Sequence, residues 1–419
     1  MSSGGGGANE EAIADMVELR RLSRQVLWSV RSHWERSGWV DRGWARLGLP
    51  RTLINLLFVL PREVVSTLRL AGREVRTLHG VSRLRQLRQM IGLAFREGLF
   101  PAEYYLFALY EDGRRPLAPL FLGPRNNGDS LVAAVGSRDP RQSKLEFFRR
   151  CTAAGLPTVP LLAECSNRGG SASIHEADSP LWQGDLCSKP ADSGAAQGIR
   201  IWSRQEDGAW RDGDAVARDR DELLSVLSSS TRHDIWIVQP RLRTHRDLAD
   251  LTTGALCNVR MNTVRDPTTG AVEILFAMFR MPLGADVRIL RPGDGVYAGV
   301  DLDTGRLGMG GNKATHSLPR YTEVHPTTGG RIEGRVLPYW SEVLDLSRRV
   351  HDAFPEIPAA GWDISIIDSG PVLVETNEMW ACDLIQAVNG IPIGLTPYPR
   401  IMLKYLRAAM TRRALQRRF

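Results

Sequence analysis

From Glu10 to about Arg96, apolar residues recur at spacings of three and four, as in Ile13, Met16, Val17 and Leu19 and again in Leu53, Leu56, Leu57 and Leu60. This period predicts amphipathic helices, punctuated by Pro50 and Pro61. Residues 1–9 ahead of them are rich in Gly and Ser and are read as a disordered tail. Residues 10–134 are read as a mainly helical region that docks a partner, a membrane surface or the rest of the chain. Beyond about residue 125 the pattern changes. KLEFFRRCTAAG reads as a helix closed by Gly155, and short apolar runs follow, among them TVPLLAEC, GIRIWSR, DIWIVQP, CNVRMNTV, AVEILFAMFR, WDISIID and PVLVETN. Helical patterns interrupt them near residues 220–228, 339–353 and 397–416. Many antiparallel-looking strands with a few covering helices predict an α+β class and not a regular βαβ alternation.

With 419 residues and 43% hydrophobic content the chain has material for two or three domains with real cores. Its formal charge is +7, and the first hundred residues, with 16 Arg against 9 acids, hold all of that excess. Such a helical Arg surplus is either a solvated face or a surface for an anionic partner, with a membrane ahead of nucleic acid, which is not expected. Only four of the 54 basic residues are lysines: Lys144, Lys189, Lys313 and Lys404. In a chain that otherwise writes Arg, each is a candidate for a position needing a compact ammonium. Five widely spaced cysteines, without CxxC or Cys/His metal spacing, read as reduced thiols. The N-terminus has no basic stretch leading into an apolar one, and LINLLFVL at 53–60 is far short of the roughly 20 residues that span a bilayer, so a cytoplasmic protein is expected.

The sharpest chemical signal is GWDISIIDSGPVLVETNEMW, residues 361–380. Two β-rich runs flank Asp368-Ser369-Gly370-Pro371, which predicts a hairpin. A three- or five-residue loop centred on Ser369 sets Asp363 opposite Glu375, with Asn377 on the same face by the period of two. Two carboxylates and an amide oxygen suit Mg²⁺; a solvent-facing polar hairpin is the plain alternative. A second signal is DLCSKPADSGAAQGIRIW, residues 185–202, where Lys189 precedes a loop of small residues whose backbone can approach phosphate oxygens closely. The loop is neither GxxxxGK[ST] nor GxGxxG, and an ordinary surface loop would look similar.

In order, a helical Lys144, Lys189 before its small-residue loop, an apolar strand closing in Gln239-Pro240, a strand Arg260, and Asp363 with Glu375 and Asn377 resemble the ATP-grasp superfamily. KLEFFRRCTAAGLPTVP, HPTTGGRIEG and GWDISIIDSGPVLVETN are similar, more narrowly, to the sugar-transfer-associated ATP-grasp group, related to the glutamate ligase-like proteins. The resemblance covers about residues 135–405. It implies two α+β lobes, 135–240 and 241–419, the second ending in a basic helix, clasping ATP with one or two Mg²⁺. Carried onto this chain, it implies that Lys144 and Lys189 contact phosphates under a lid of Ser193, Gly194, Gln197 and Gly198. Gln239 and the backbone at Leu242 would meet adenine, and His245 and Asp247 the ribose, unless these last two are surface residues. Arg260, with Lys189 and Asn262, would serve the transferring phosphoryl group, and Asp363, Glu375 and Asn377 would hold the metal. Asn312, Lys313 and His316 are further candidates for a substrate loop, whereas His325 reads most simply as a turn residue. Around Arg288 the chain departs from the group's pattern, which bears on the acceptor site.

The activity implied is an ATP- and Mg²⁺-dependent carboxylate–amine ligase working through an acyl phosphate on small-molecule or glycan-linked substrates. A kinase acting on a hydroxyl or sugar-linked acceptor and a non-catalytic docking protein are the alternatives.

Overall fold

A computed structural model describes residues 5–34, 60–135, 143–167, 171–193, 198–229, 233–284, 295–312 and 318–416, with side chains at 5–6, 27–34 and 413–416 excepted. The N-terminal part is helical: α1 (Gly5–Trp34), α2 (Leu60–Arg69), α3 (Ala71–His79), α4 (Arg83–Arg96), α5 (Pro101–Leu106), a 3₁₀ turn at Arg115–Leu120 and α6 (Pro124–Val135). Helix α1 starts at Gly5, inside the segment expected to be disordered. Its downstream turns bury Met16, Leu19, Leu22 and Val26, so nucleation is secured there and the helix extends back through poor helix formers. Leu53, Leu56 and Leu57 lie outside the described residues.

Helix α1 docks on the rest of the chain. Its apolar side shares one core with Leu131 of α6, Phe276 and Met278 of the second sheet, and Tyr398 and Leu406 near the C-terminus. Buried Arg20 fastens the arrangement: Nη1 donates to Glu97 Oε2 at 2.6 Å, and Nη2 to the carbonyls of Pro119 and Phe121 at 2.7 Å.

Helix α7 (Lys144–Ala153), N-capped by Ser143, leads into the first sheet. That sheet comprises β1 (Ala163–Ser166), β2 (Ser171–Ile174), β3 (Leu186–Pro190), β4 (Arg200–Arg204), β5 (Trp210–Asp212), β6 (Ala215–Ala217) and β7 (Ile235–Pro240), in the order β2-β1-β7-β3-β4-β5-β6. Helix α8 (Arg220–Ser228) covers it, burying Leu223 and Leu227 against Trp202, Trp210 and Trp236. The second sheet holds β8 (Asn258–Arg265), β9 (Val272–Pro282), β10 (Gly295–Val300), β11 (Leu307–Gly311), β12 (Tyr321–Thr322), β13 (Ala359–Ile367) and β14 (Gly370–Asn377), in the order β12-β11-β10-β9-β8-β13-β14. Helix α9 (Trp340–Ala353) covers the face carrying Trp362, Ile364 and Ile366. Helices α10 (Asp383–Asn389) and α11 (Tyr398–Gln416), with α1 and α6, cover the other. Neighbouring strands in both sheets run antiparallel, so the class is α+β as the texture predicts.

The two sheets are tied where the chain leaves α7. The Leu373 amide of edge strand β14 donates to Pro157 O at 2.9 Å, and Thr158 Oγ1 donates to Leu373 O at 3.2 Å. The exposed edge is thereby covered by the connection between the lobes. Among the described residues no helix is long and apolar enough to cross a membrane, and none of the five cysteines is in a disulfide.

Candidate active site

The β13–β14 hairpin differs from expectation in its turn and agrees in its pairing. Ile367 pairs with Gly370 across the two-residue turn Asp368-Ser369, not a three- or five-residue loop. On that register alone Asp363 would oppose Val374. A bulge between Asp363 and Ile364 shifts it by one, so Asp363 faces Glu375 and Gly361 faces Asn377. The extra residue re-aims the carboxylate onto the functional face.

Across the neighbouring strands the register sets Arg260 beside Asp363 and Asn262 beside Gly361, while Arg280 and Tyr297 pair one strand further on. Arg260 grips Asp363 with two donors, Nε to Oδ1 and Nη2 to Oδ2 at 3.0 Å. Arg280 Nη1 approaches Oδ2 at 3.7 Å, and Asn377 Nδ2 donates to it at 3.5 Å. Burial alone pushes the Asp363 carboxyl up, but the charges of Arg260 and Arg280 and a hydrogen bond with Glu375 outweigh it and hold the group below the usual carboxylate range. Burial likewise opposes the Arg260 charge, and Asp363 and Glu375 more than restore it.

Gly361 makes this fork possible. A Cβ there would lie 2.8 Å from Arg260 Cδ and 3.2 Å from Asn262 Nδ2, closer than packing allows.

Lys144 lies near this row, with Lys189 beside it. Lys144 is the first residue of α7, and its Nζ donates to the Ser193 carbonyl. Burial lowers its pKa; the Glu375 carboxylate raises it, neighbouring Lys189 lowers it and Asp192 raises it. The Lys144 ammonium thus feels both Glu375 of the second sheet and Lys189 of the first. Lys189 is buried on β3, paired with Ile237. Four cations, Lys144, Lys189, Arg260 and Arg280, therefore stand about two carboxylates, a balance that suits a polyphosphate.

Other candidates are placed as follows. Ser193 accepts Lys144 through its carbonyl, and Gly198 takes φ +78° where a side chain would meet Pro190; Gly194 and Gln197 lie outside the described residues. Gln239 closes the hinge by donating Nε2 to Val159 O at 3.1 Å, and Leu242 follows it half-buried. His245 caps a 3₁₀ turn, its Nδ1 accepting the Asp247 amide at 3.1 Å, while its own amide donates to Ile366 O. Ile366 is three strand residues beyond Asp363, roughly 10 Å, so His245 and Asp247 stand apart from the row, at the turn. His325 is a buried turn residue whose Nδ1 accepts the Thr328 amide, and Asn312 Oδ1 accepts the Arg320 amide. Lys313, His316 and Arg288 lie outside the described residues. Lys404 ion-pairs with Asp266 at 2.6 Å on the far side of β8, so scarcity did not mark a site there. Arg280 was missed; a lone Arg ending the apolar run ILFAMF was its signal.

Asp363 and Glu375 sit opposite each other across the hairpin, and two neighbouring carboxylates repel unless a cation or a shared proton stands between them. Asp363 accepts from Arg260 and Asn377 and, with about four lone-pair directions, retains acceptor capacity for a metal. Asn262, 1% exposed, has neither its amide nitrogen nor its oxygen paired among the described residues, a buried polar group that a ligand or water would satisfy. Among the described residues no three His, Cys, Asp or Glu converge, so the set is a two-carboxylate, amide-oxygen one fitting Mg²⁺ completed by water and phosphate.

Two antiparallel seven-stranded sheets, with Lys144 and Lys189 beside the first and a carboxylate–amide row on the second, fit an ATP-grasp protein. The chain belongs to the sugar-transfer-associated ATP-grasp family, whose model matches residues 139–397. Similar solved structures include D-alanine–D-alanine ligase from Bacillus anthracis complexed with ATP (11% identity, 67% of this chain and 69% of that one, TM-score 0.36). D-alanyl-alanine synthetase A from Vibrio cholerae matches at 9% identity over 67% of each chain, TM-score 0.38. A D-Ala:D-Ser ligase from Enterococcus faecalis matches at 10% identity over 66% and 63%, TM-score 0.36. No curated protein sequence matches the chain.

Proposed function

We propose that the protein is an ATP- and Mg²⁺-dependent carboxylate–amine ligase that forms an amide bond and releases ADP and phosphate. The observation that carries the reading is the Arg260–Asp363–Glu375 row of the second sheet lying within the field of Lys144, with Lys189 alongside.

Lys144 and Lys189 hold the phosphates from the first lobe. A substrate carboxylate oxygen attacks the γ-phosphorus, the bond to the β-phosphate oxygen breaks and ADP leaves; the amine nitrogen then attacks the acyl carbon, loses a proton to solvent and expels phosphate. Arg260, held rigid by Asp363, and Arg280 neutralise oxygens that gain charge in both steps, and a guanidinium fork keeps its charge throughout. Asn262 offers a donor and an acceptor at one buried point for orienting the acyl group. Magnesium, held by Asp363, Glu375 and Asn377, supplies further neutralisation of the phosphate oxygens. The catalytic task is chiefly positioning and exclusion of water, which two lobes closing on a hinge can provide.

The test is an ADP-release screen of paired amino acids, polyamines and sugar acids, with products identified by mass. An amide product is expected; a phosphoester would make the protein a kinase, and ATP binding without turnover of any pair would leave the docking alternative. Glu375→Gln should abolish ADP release in a folded protein, and normal turnover in that variant rejects the metal assignment.

A further inference from the structure

Helix α4 has two apolar faces. Its inner side buries Gln86, Met90 and Leu93, and Gln86 is satisfied by donating to Gly72 O and Val81 O and accepting from Tyr105. That is sufficient to anchor a helix of 14 residues. On the opposite side Leu84, Ile91 and Phe95 stand 58%, 40% and 62% exposed. At 3.6 residues per turn these three fall within an arc of roughly 40°, forming a single outward stripe. Arg83 flanks it on one side, Arg88 on its other edge, and Arg85 and Arg96 beyond.

Three of these arginines, Arg83, Arg88 and Arg96, have no carboxylate partner among the described residues. Residues 60–96 contain eight Arg and two Glu. Among the described residues only Arg85 of the eight has a carboxylate partner, Asp112 at 2.8 Å, while Glu63 is taken by Arg125. A groove on a partner protein would accept the apolar stripe without needing unneutralised guanidinium groups along both its flanks. A plane of phosphates with acyl chains beneath satisfies stripe and flanks together. At 1.5 Å per residue α4 is about 21 Å long, shorter than the roughly 30 Å hydrocarbon core, so it would lie along the surface.

We propose that α4 is an interfacial helix that seats the protein on an anionic phospholipid membrane, with Leu84, Ile91 and Phe95 entering the acyl boundary and Arg83, Arg88 and Arg96 meeting lipid phosphates. The proposal is independent of the ligase reading. The test is flotation of the full chain with vesicles of phosphatidylcholine plus phosphatidylglycerol, against phosphatidylcholine alone. Binding to the anionic vesicles that weakens with salt is expected. The Ile91→Ser/Phe95→Ser variant should partition at least about ten-fold less, and Arg88→Gln/Arg96→Gln about 25-fold less, five-fold per arginine. Both pairs are at solvent-facing positions, so melting temperatures should match that of the parent. Failure of the parent chain to float with anionic vesicles overturns the proposal, as does undiminished binding by either variant. A parent dimer in light scattering that Ile91→Ser/Phe95→Ser renders monomeric also overturns it, since a second copy then covers the stripe.

Discussion

Replacing Gly361 by Ala probes the site through its geometry alone. The added Cβ would meet Arg260 Cδ at 2.8 Å, whereas ordinary contacts begin near 3.4 Å, so the arginine stem must retreat by about 0.6 Å. The obstacle is a side chain and not backbone, so the stability cost should fall at the low end for overpacking, about 1 kcal/mol, or about 2 °C in melting temperature. The functional cost should be far larger. The retreat draws the guanidinium away from Asp363, and a misplacement of about 1 Å at a reacting centre costs about 10²-fold, so ADP release should fall about ten- to 100-fold. The assay pairs thermal melting with ADP release on the substrate pair found by the screen. A Gly361→Ala protein with parental turnover would refute the claim that the Arg260–Asp363 fork is part of the machinery.

Other outcomes follow from the same structure. Lys144→Met should weaken MgATP binding at least about ten-fold, read by isothermal titration, while shifting the melting temperature little, because among the described residues the ammonium bonds only to the Ser193 carbonyl. Glu103 is buried and its carboxyl is pushed up to about 8 by burial, against an unfolded value near 4.5. The folded state therefore holds the proton more tightly, and stability present below pH 4.5 is lost as pH rises toward 8, by an upper limit on the order of 5 kcal/mol; Glu103→Gln should flatten that slope in denaturant melts. His351 has the opposite sense: burial lowers its pKa to about 4, so stability is lost as pH falls from 6.5 to 4. Its Nε2 faces Ile357 O and its Nδ1 faces Thr263 Oγ1, an arrangement that fits the neutral ring; His351→Gln should remove this acid-side loss.

The carboxylate row was legible because strand alternation is a local property. Glu375 and Asn377 share a face by period, the pairing across the turn brings Asp363 to it, and Trp362, Ile364 and Ile366 announce the buried opposite face. The turn was not legible, because a two-residue turn with a bulge and a longer loop without one give the same Asp363–Glu375 pairing. Arg280 was hidden since its role depends on lying two strands away from Asp363, a neighbour the sequence does not supply. The turn at His245 was not legible either: its ring nitrogen caps the turn by accepting the Asp247 amide, a bond that the sequence does not spell out. Helix α4 has apolar residues around most of its circumference, so periodicity could not say which face met the core.

The Arg260–Asp363 pair is poor as a source of stability and well suited to a site. Both groups are nearly withdrawn from water, and a buried ion pair commonly contributes less than apolar residues of equal volume would. Its surroundings deepen the imbalance: Arg280 and Lys144 add positive charge, and Asn262 contributes an unsatisfied amide. Packing does not demand these features, since the opposite face of the same strand is closed by Trp362, Ile364 and Ile366 with no charge at all. An anionic ligand and its metal would meet the excess cations, the Glu375 carboxylate and the orphaned amide at one time. On the proposed reading a bound phosphate would relieve the local costs carried on this one row, and binding should raise the protein's stability accordingly.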